Sequence, residues 1–117
     1  VFSFDLGGNF LAGDFEGQDF LAEVKNYKND SDLGKHWTAF LAHCYRAVAT
    51  DHHMADQFFW ISFAPYGGSK WERMTSVDEI KAAVLHNKVR DVNFLDDQDP
   101  AEAYSPEIAE MVSQRLW

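Results

Sequence analysis

The sequence predicts an α/β domain, a mixed sheet that opens with an N-terminal antiparallel meander and carries helices on its faces. Three observations lead there. Residues 1–26 hold short alternating apolar runs broken by Gly-containing turns, the mark of small antiparallel strands. A stretch with helical spacing of its apolar residues follows. Residues 57–64 are then apolar on both parities, as a strand covered on both sides requires.

The elements follow in order. Residues 1–6 predict a strand, Gly7-Gly8-Asn9 a hairpin turn, and 10–15 a second strand. Residues 16–19 predict another turn and 20–26 a third strand. Asn29-Asp30-Ser31-Asp32 offers N-caps for a helix over about 32–49. Its apolar residues Trp37, Phe40, Leu41, Cys44 and Val48 recur at i, i+3, i+4, i+7 and i+11 and cluster on one side. Lys35, His36, His43 and Arg46 fall on the opposite side and make a basic face. Pro65 and Gly67-Gly68 end the buried strand, and Ser76-Val77-Asp78-Glu79 is a capping box opening a helix to about 87. Residues 89–94 predict a short edge strand and 95–104 an acidic loop. Ser105 as N-cap with Pro106 at N1 starts a last helix. The tripeptide Phe-Leu-Ala recurs at 10, 20 and 40 without a period and marks no repeat.

Composition bounds the function. The 117 residues are one domain's worth of chain, with no internal linker. At 46% hydrophobic and 25% charged they exclude a disordered tail and a collagen-like repeat. The longest apolar run is far short of the roughly 20 residues that span a bilayer, so no membrane partner is expected. No basic region precedes an apolar run, so no signal peptide is expected. The single cysteine, Cys44, fits a reducing, cytoplasmic compartment. The net charge of −9 is uneven: residues 1–24 carry five acids and no base, and 91–117 carry seven acids and Arg115. Such a balance opposes non-specific attraction to nucleic acid. A divalent metal on the acidic N-terminal third would partly reverse it.

One constellation carries chemistry. Glu23 and Lys25, two apart on a strand, project to the same face. If the turn is centred on Gly17-Gln18, Asp14 falls opposite Leu21 on that face, roughly 7–8 Å from Glu23. A slip of one residue sends Asp14 to the other face. Two convergent carboxylates repel, and a hard cation such as Mg²⁺ relieves them through one or two carboxylates plus waters. A metal-bound water is a better nucleophile, and a lysine stabilises developing negative charge. That is the chemistry of phosphodiester hydrolysis. The competing reading of the same residues is a solvated cross-strand ion pair worth little.

The hairpin Asp14…Glu23-Val24-Lys25, continued by Asn26-Tyr27 and a helix, resembles the PD-(D/E)xK nuclease superfamily. The resemblance covers about residues 1–88 and implies a restriction-endonuclease-like sandwich. It implies Asp14 and Glu23 as ligands of Mg²⁺ or Mn²⁺, Lys25 as the catalytic lysine, nucleic acid as substrate, and pairing into a homodimer. Lys35, His36, His43 and Arg46 are the candidate substrate contacts. The helix that opens the family's core has no counterpart here, which implies a domain cut from a larger protein; Lys35 or His36 would then replace its polar contribution. Gly13 stands where the family often has proline. The alternative class is a non-catalytic relative whose acidic surface meets a basic protein partner.

Other motifs are weaker. Asp51-His52-His53 lacks the further aspartate motifs of DHH phosphoesterases and is expected in a loop. Gly67-Gly68-Ser69-Lys70 fails the phosphate-loop pattern. Cys44, Trp37, Phe40, Trp60 and Phe63 are expected in the core. Asn29-Asp30-Ser31 is a glycosylation sequon only in a secreted protein.

Overall fold

A computed structural model describes residues 4–25, 33–62 and 70–117. A three-stranded mixed sheet, order β1-β2-β3, is built from Leu6–Asn9, Asp19–Lys25 and Gln57–Ser62. β1 and β2 pair antiparallel, and β2 and β3 parallel. The parallel pair needs a crossover, which helix α1, Leu33–Ala49, supplies. Short α2 (Trp71–Met74), α3 (Val77–Val84), short α4 (Pro100–Ala103) and α5 (Pro106–Arg115) complete the α/β architecture. Among the described residues, no helix is long and apolar enough to cross a membrane.

Local chemistry sets the helix starts. Ser76 Oγ accepts the Glu79 N–H at 3.2 Å, and Ser105 Oγ accepts the Ile108 N–H at 3.3 Å, each satisfying an orphan first-turn donor. Pro106 occupies the first turn of α5, where its missing N–H costs nothing. The end of α1 is closed by Asp51 at φ 55, with the His52 N–H donating to Ala47 O. Asp51-His52-His53 is accordingly a loop, as expected.

The core lies between the sheet and α1, α3 and α5, which pack on one another. Phe40, Leu41 and Cys44 of α1, Ile80 and Val84 of α3, Val112 of α5 and Phe58 of β3 are fully buried. Trp60 packs its ring 5.1 Å from Trp37 and 5.3 Å from Phe40. Tyr45 Oη accepts the Ser105 N–H at 2.8 Å and ties α1 to the start of α5. The C-terminus runs beside β3: the Trp117 N–H donates to Phe58 O at 2.9 Å, and the Trp60 N–H to Trp117 O at 3.0 Å.

Several expectations are corrected. Gly7-Gly8-Asn9 belongs to β1, and residues 10–18 form a loop rather than a second strand with its turn. Gly7 sits in the strand ladder opposite Leu21, and an added Cβ there would have to displace the flexible end of Met54, 2.7 Å away. The chain reverses instead near Gly17, at φ 85, whose N–H donates to Phe10 O. The 89–94 edge strand is a 3₁₀ turn, Arg90–Val92: the N–H groups of Val92, Asn93 and Phe94 all bond back within 89–90. The acidic 95–104 loop contains α4, capped by Asp99. Among the described residues, the second sheet face is covered by aromatic residues instead of helices: Phe10 and Phe15 of the loop meet Phe20, Phe59 and Trp117. The expected elements at 1–3, 26–32 and 63–69, with Asn26-Tyr27, the Asn29 sequon and Phe63, lie outside the described residues.

Candidate functional site

The β1/β2 register decides which acid meets Glu23. Leu6 pairs with Ala22 and Gly7 with Leu21, so Asp5 comes in line with Glu23. The Asp5 N–H donates to Ala22 O at 3.0 Å, extending the ladder by one bond. Asp5 Oδ2 accepts the Val24 N–H at 2.8 Å, which pins the carboxylate over β2. Alternation then points Leu21, Glu23 and Lys25 to the helix side, with Phe58, Trp60 and Ser62 as their neighbours on β3.

Three charged groups meet on this patch. Lys25 Nζ lies 3.3 Å from Glu23 Oε2, and both side chains are only 16% exposed. Asp5 stands in register with Glu23, and each carboxyl bears on the other's titration. The Val24 N–H holds the Asp5 carboxyl below its ordinary range. Burial, then Asp5, pushes the Glu23 carboxyl up against the opposing pull of Lys25. The environments thus push the two acids apart: Asp5 gives up its proton more readily than an ordinary carboxyl and Glu23 less readily. Glu23 also faces α1, since burial and then the Glu23 charge push the Cys44 thiol well up. Cys44 is a buried core residue, as expected, and an inert one.

Asp14 is not part of this patch. It sits in an exposed turn outside the sheet, and its expected place opposite Leu21 belongs to Gly7. The correction follows from the glycines: reading Gly7-Gly8 as a turn forces the partner strand to 10–15, whereas the chain crosses at 10–18. Asp5 is the acid the sequence argument missed. Its signal was available, because a longer loop brings positions 5 and 23 into register.

The basic face of α1 divides. Lys35 and His36 line a cavity that they share with His86 and Lys88 from the turn after α3. No spacing in the sequence announces that pair; only tertiary packing brings it in. His43 lies beside Phe4, its ring 6.3 Å from that of Phe4, with Nδ1 buried and unbonded among the described residues. Arg46 is half-buried on α1 and lines neither this cavity nor the carboxyl patch.

His43 has a consequence for stability. Burial lowers its pKa, so the folded protein holds it neutral where the unfolded chain begins to bind a proton. The unfolded state then binds more protons, and stability falls as pH drops from the ordinary histidine range toward the lowered folded value. Urea unfolding at pH 7 and pH 5 should show that loss, and His43→Gln should reduce it. An unchanged slope in the variant would place the acid sensitivity elsewhere.

Among the described residues no three His, Cys, Asp or Glu side chains converge as a metal cage. The oxygen donors of Asp5 and Glu23 suit a hard cation that keeps several waters, Mg²⁺ or Mn²⁺, and not zinc. Asp5 Oδ1 is the freer oxygen, since Oδ2 already accepts the Val24 N–H. Comparison with protein-family models, curated proteins and solved structures returned no match.

Proposed function

We propose that this chain is a metal-dependent nuclease domain that hydrolyses phosphodiester bonds, with Asp5, Glu23 and Lys25 as its working residues. The observation that carries the reading is the Glu23–Lys25 pair, each side chain 16% exposed, with the exposed Asp5 carboxylate in register beside it. A carboxyl held up by burial and by a second carboxyl is a strained arrangement, and a divalent cation would relieve it. The Glu23-Val24-Lys25 pattern, a β-hairpin acid beside it, and the β2-α1-β3 crossover behind it are the features that resemble PD-(D/E)xK nucleases. The restriction-endonuclease-like sandwich belongs to the same proposal.

A bound Mg²⁺ or Mn²⁺ would supply charge neutralisation at the phosphate and a more acidic water. The chain's own residues do the rest. Asp5 and Glu23 would hold the cation, Asp5 being oriented by the Val24 N–H. The Lys25 ammonium, kept on this face by Glu23, donates hydrogen bonds to the attacking water or to the phosphoryl oxygen where negative charge grows.

The net charge of −9 favours a second reading, an acidic module that docks on a basic protein partner without catalysis. Titration calorimetry with Mn²⁺ separates the two. The nuclease reading expects one binding event that Glu23→Gln weakens by about tenfold or more. An absence of Mn²⁺ binding by the unmodified chain would leave the docking module as the better account.

A further inference from the structure

We propose that the cavity between the 3₁₀ turn Arg90–Val92 and the start of α4 binds the head group of a free α-amino acid, with a basic side chain preferred. The cavity measures about 130 Å³. That is below the usual range for drug-sized ligands, so it admits a head group and leaves the side chain outside. Both signs of charge line it: the Arg90 guanidinium and the carboxylates of Asp91 and Asp96. Among the described residues the guanidinium pairs with neither carboxylate, although all three border the same space. An α-amino acid carries an anion and a cation on one carbon and can bridge such a gap. Its carboxylate meets the Arg90 fork, and its ammonium meets Asp91 and Asp96.

The frame around these groups is fixed by hydrogen bonds, which lowers the ordering cost of binding. The Asn93 and Phe94 N–H groups donate to Arg90 O at 3.1 and 3.0 Å. Asn93 Nδ2 donates to Ala42 O at 3.0 Å and ties the turn to α1. The Leu95–Gln98 turn is closed twice: the Gln98 N–H donates to Leu95 O at 3.0 Å, and the Leu95 N–H to Gln98 Oε1 at 2.7 Å. The Gln98 amide therefore has its Nε2 hydrogens to offer a carboxylate. Phe94, 7% exposed, gives the cavity a buried apolar wall. A lone anion here would meet two carboxylates, and a lone cation would meet the guanidinium. The surrounding field selects among amino acids: residues 91–117 carry seven acids and Arg115, so a basic side chain is favoured over an acidic one. None of Asp5, Glu23 and Lys25 lines this cavity, so the inference is independent of the proposed hydrolysis.

Titrating the full chain with lysine, glycine, glutamate, acetate and methylamine at constant ionic strength, followed by the backbone amide resonances of Leu95 and Gln98, tests it. Lysine and glycine should shift both resonances, and acetate and methylamine should shift neither. Lysine should bind more tightly than glutamate. Arg90→Gln and Asp96→Asn, both at exposed positions, should each weaken lysine about two- to fivefold, with circular dichroism showing the fold retained. The proposal is overturned if lysine at tens of millimolar moves neither resonance, or if methylamine moves them as lysine does. It is equally overturned if both variants bind lysine like the parent, or if glutamate binds more tightly than lysine.

Discussion

Phe58→Ala should lower the free energy of unfolding by about 3–5 kcal/mol, as expected for a large side chain removed from a rigid core. Phe58 has no exposed surface, stacks 6.0 Å from Phe4, neighbours Leu21 across the parallel ladder, and belongs to the cluster shared with α1, α3 and α5. Its backbone also anchors the C-terminus through the Trp117 N–H. Little of the site can collapse, because the backbone on both sides is hydrogen-bonded. For a domain whose total stability is about 5–15 kcal/mol, the loss is a large fraction of the whole. The melting temperature should fall by about 12–20 °C. The adjacent Phe59→Ala is the control, since that ring is half-buried on the opposite face against Phe10 and Phe20. It should cost about 1–2 kcal/mol. Thermal unfolding followed by circular dichroism reads both. Equal losses would mean that the helix-covered face is not the principal core.

That asymmetry between the faces was only half legible in the sequence. The apolar parity of 57–64 reads as a central strand covered on both sides, whereas β3 is the end strand of the described sheet, buried on the helix side and with Ile61 exposed on the other. α1 and its buried stripe, the Ser76 and Ser105 caps and the alternation along β2 follow from local rules: periodicity, an accepting hydroxyl, the pleat. The errors arise where one local signal has two physical causes. Gly7-Gly8 looks like a turn, yet both residues pair with β2, Gly7 with Leu21 and Gly8 with Phe20, and that pairing is tertiary. Residues 89–94 have strand-like composition, yet buried Phe94 and the backward bonds of the 3₁₀ turn hold them against α1. The turn error moved the register, and the register moved the acid. Glu23 and Lys25 were read on the right face because their spacing is internal to one strand. Their partner required the pairing of two strands, which composition does not encode.

The pairing can be tested through chemistry. If the proposed hydrolysis is present, Lys25→Ala should reduce it about 100- to 1,000-fold, the scale of losing one donor to a developing oxyanion. Stability should fall as well, because the substitution leaves the largely buried Glu23 without the ammonium 3.3 Å away, so the variant's fold is checked by circular dichroism beside its activity. Asp5→Asn should lower both Mn²⁺ affinity and hydrolysis while the hairpin survives, because an asparagine oxygen can still accept the Val24 N–H. Asp14→Asn should change neither, since that side chain is exposed in a turn off the sheet. The three variants therefore divide along the register: positions 5 and 25 act with position 23, and position 14 does not. Hydrolysis that survives in Lys25→Ala removes the lysine from the mechanism. Hydrolysis lost in Asp14→Asn but kept in Asp5→Asn would show that the catalytic hairpin pairs 10–15 with 20–26, against the β1/β2 ladder found here.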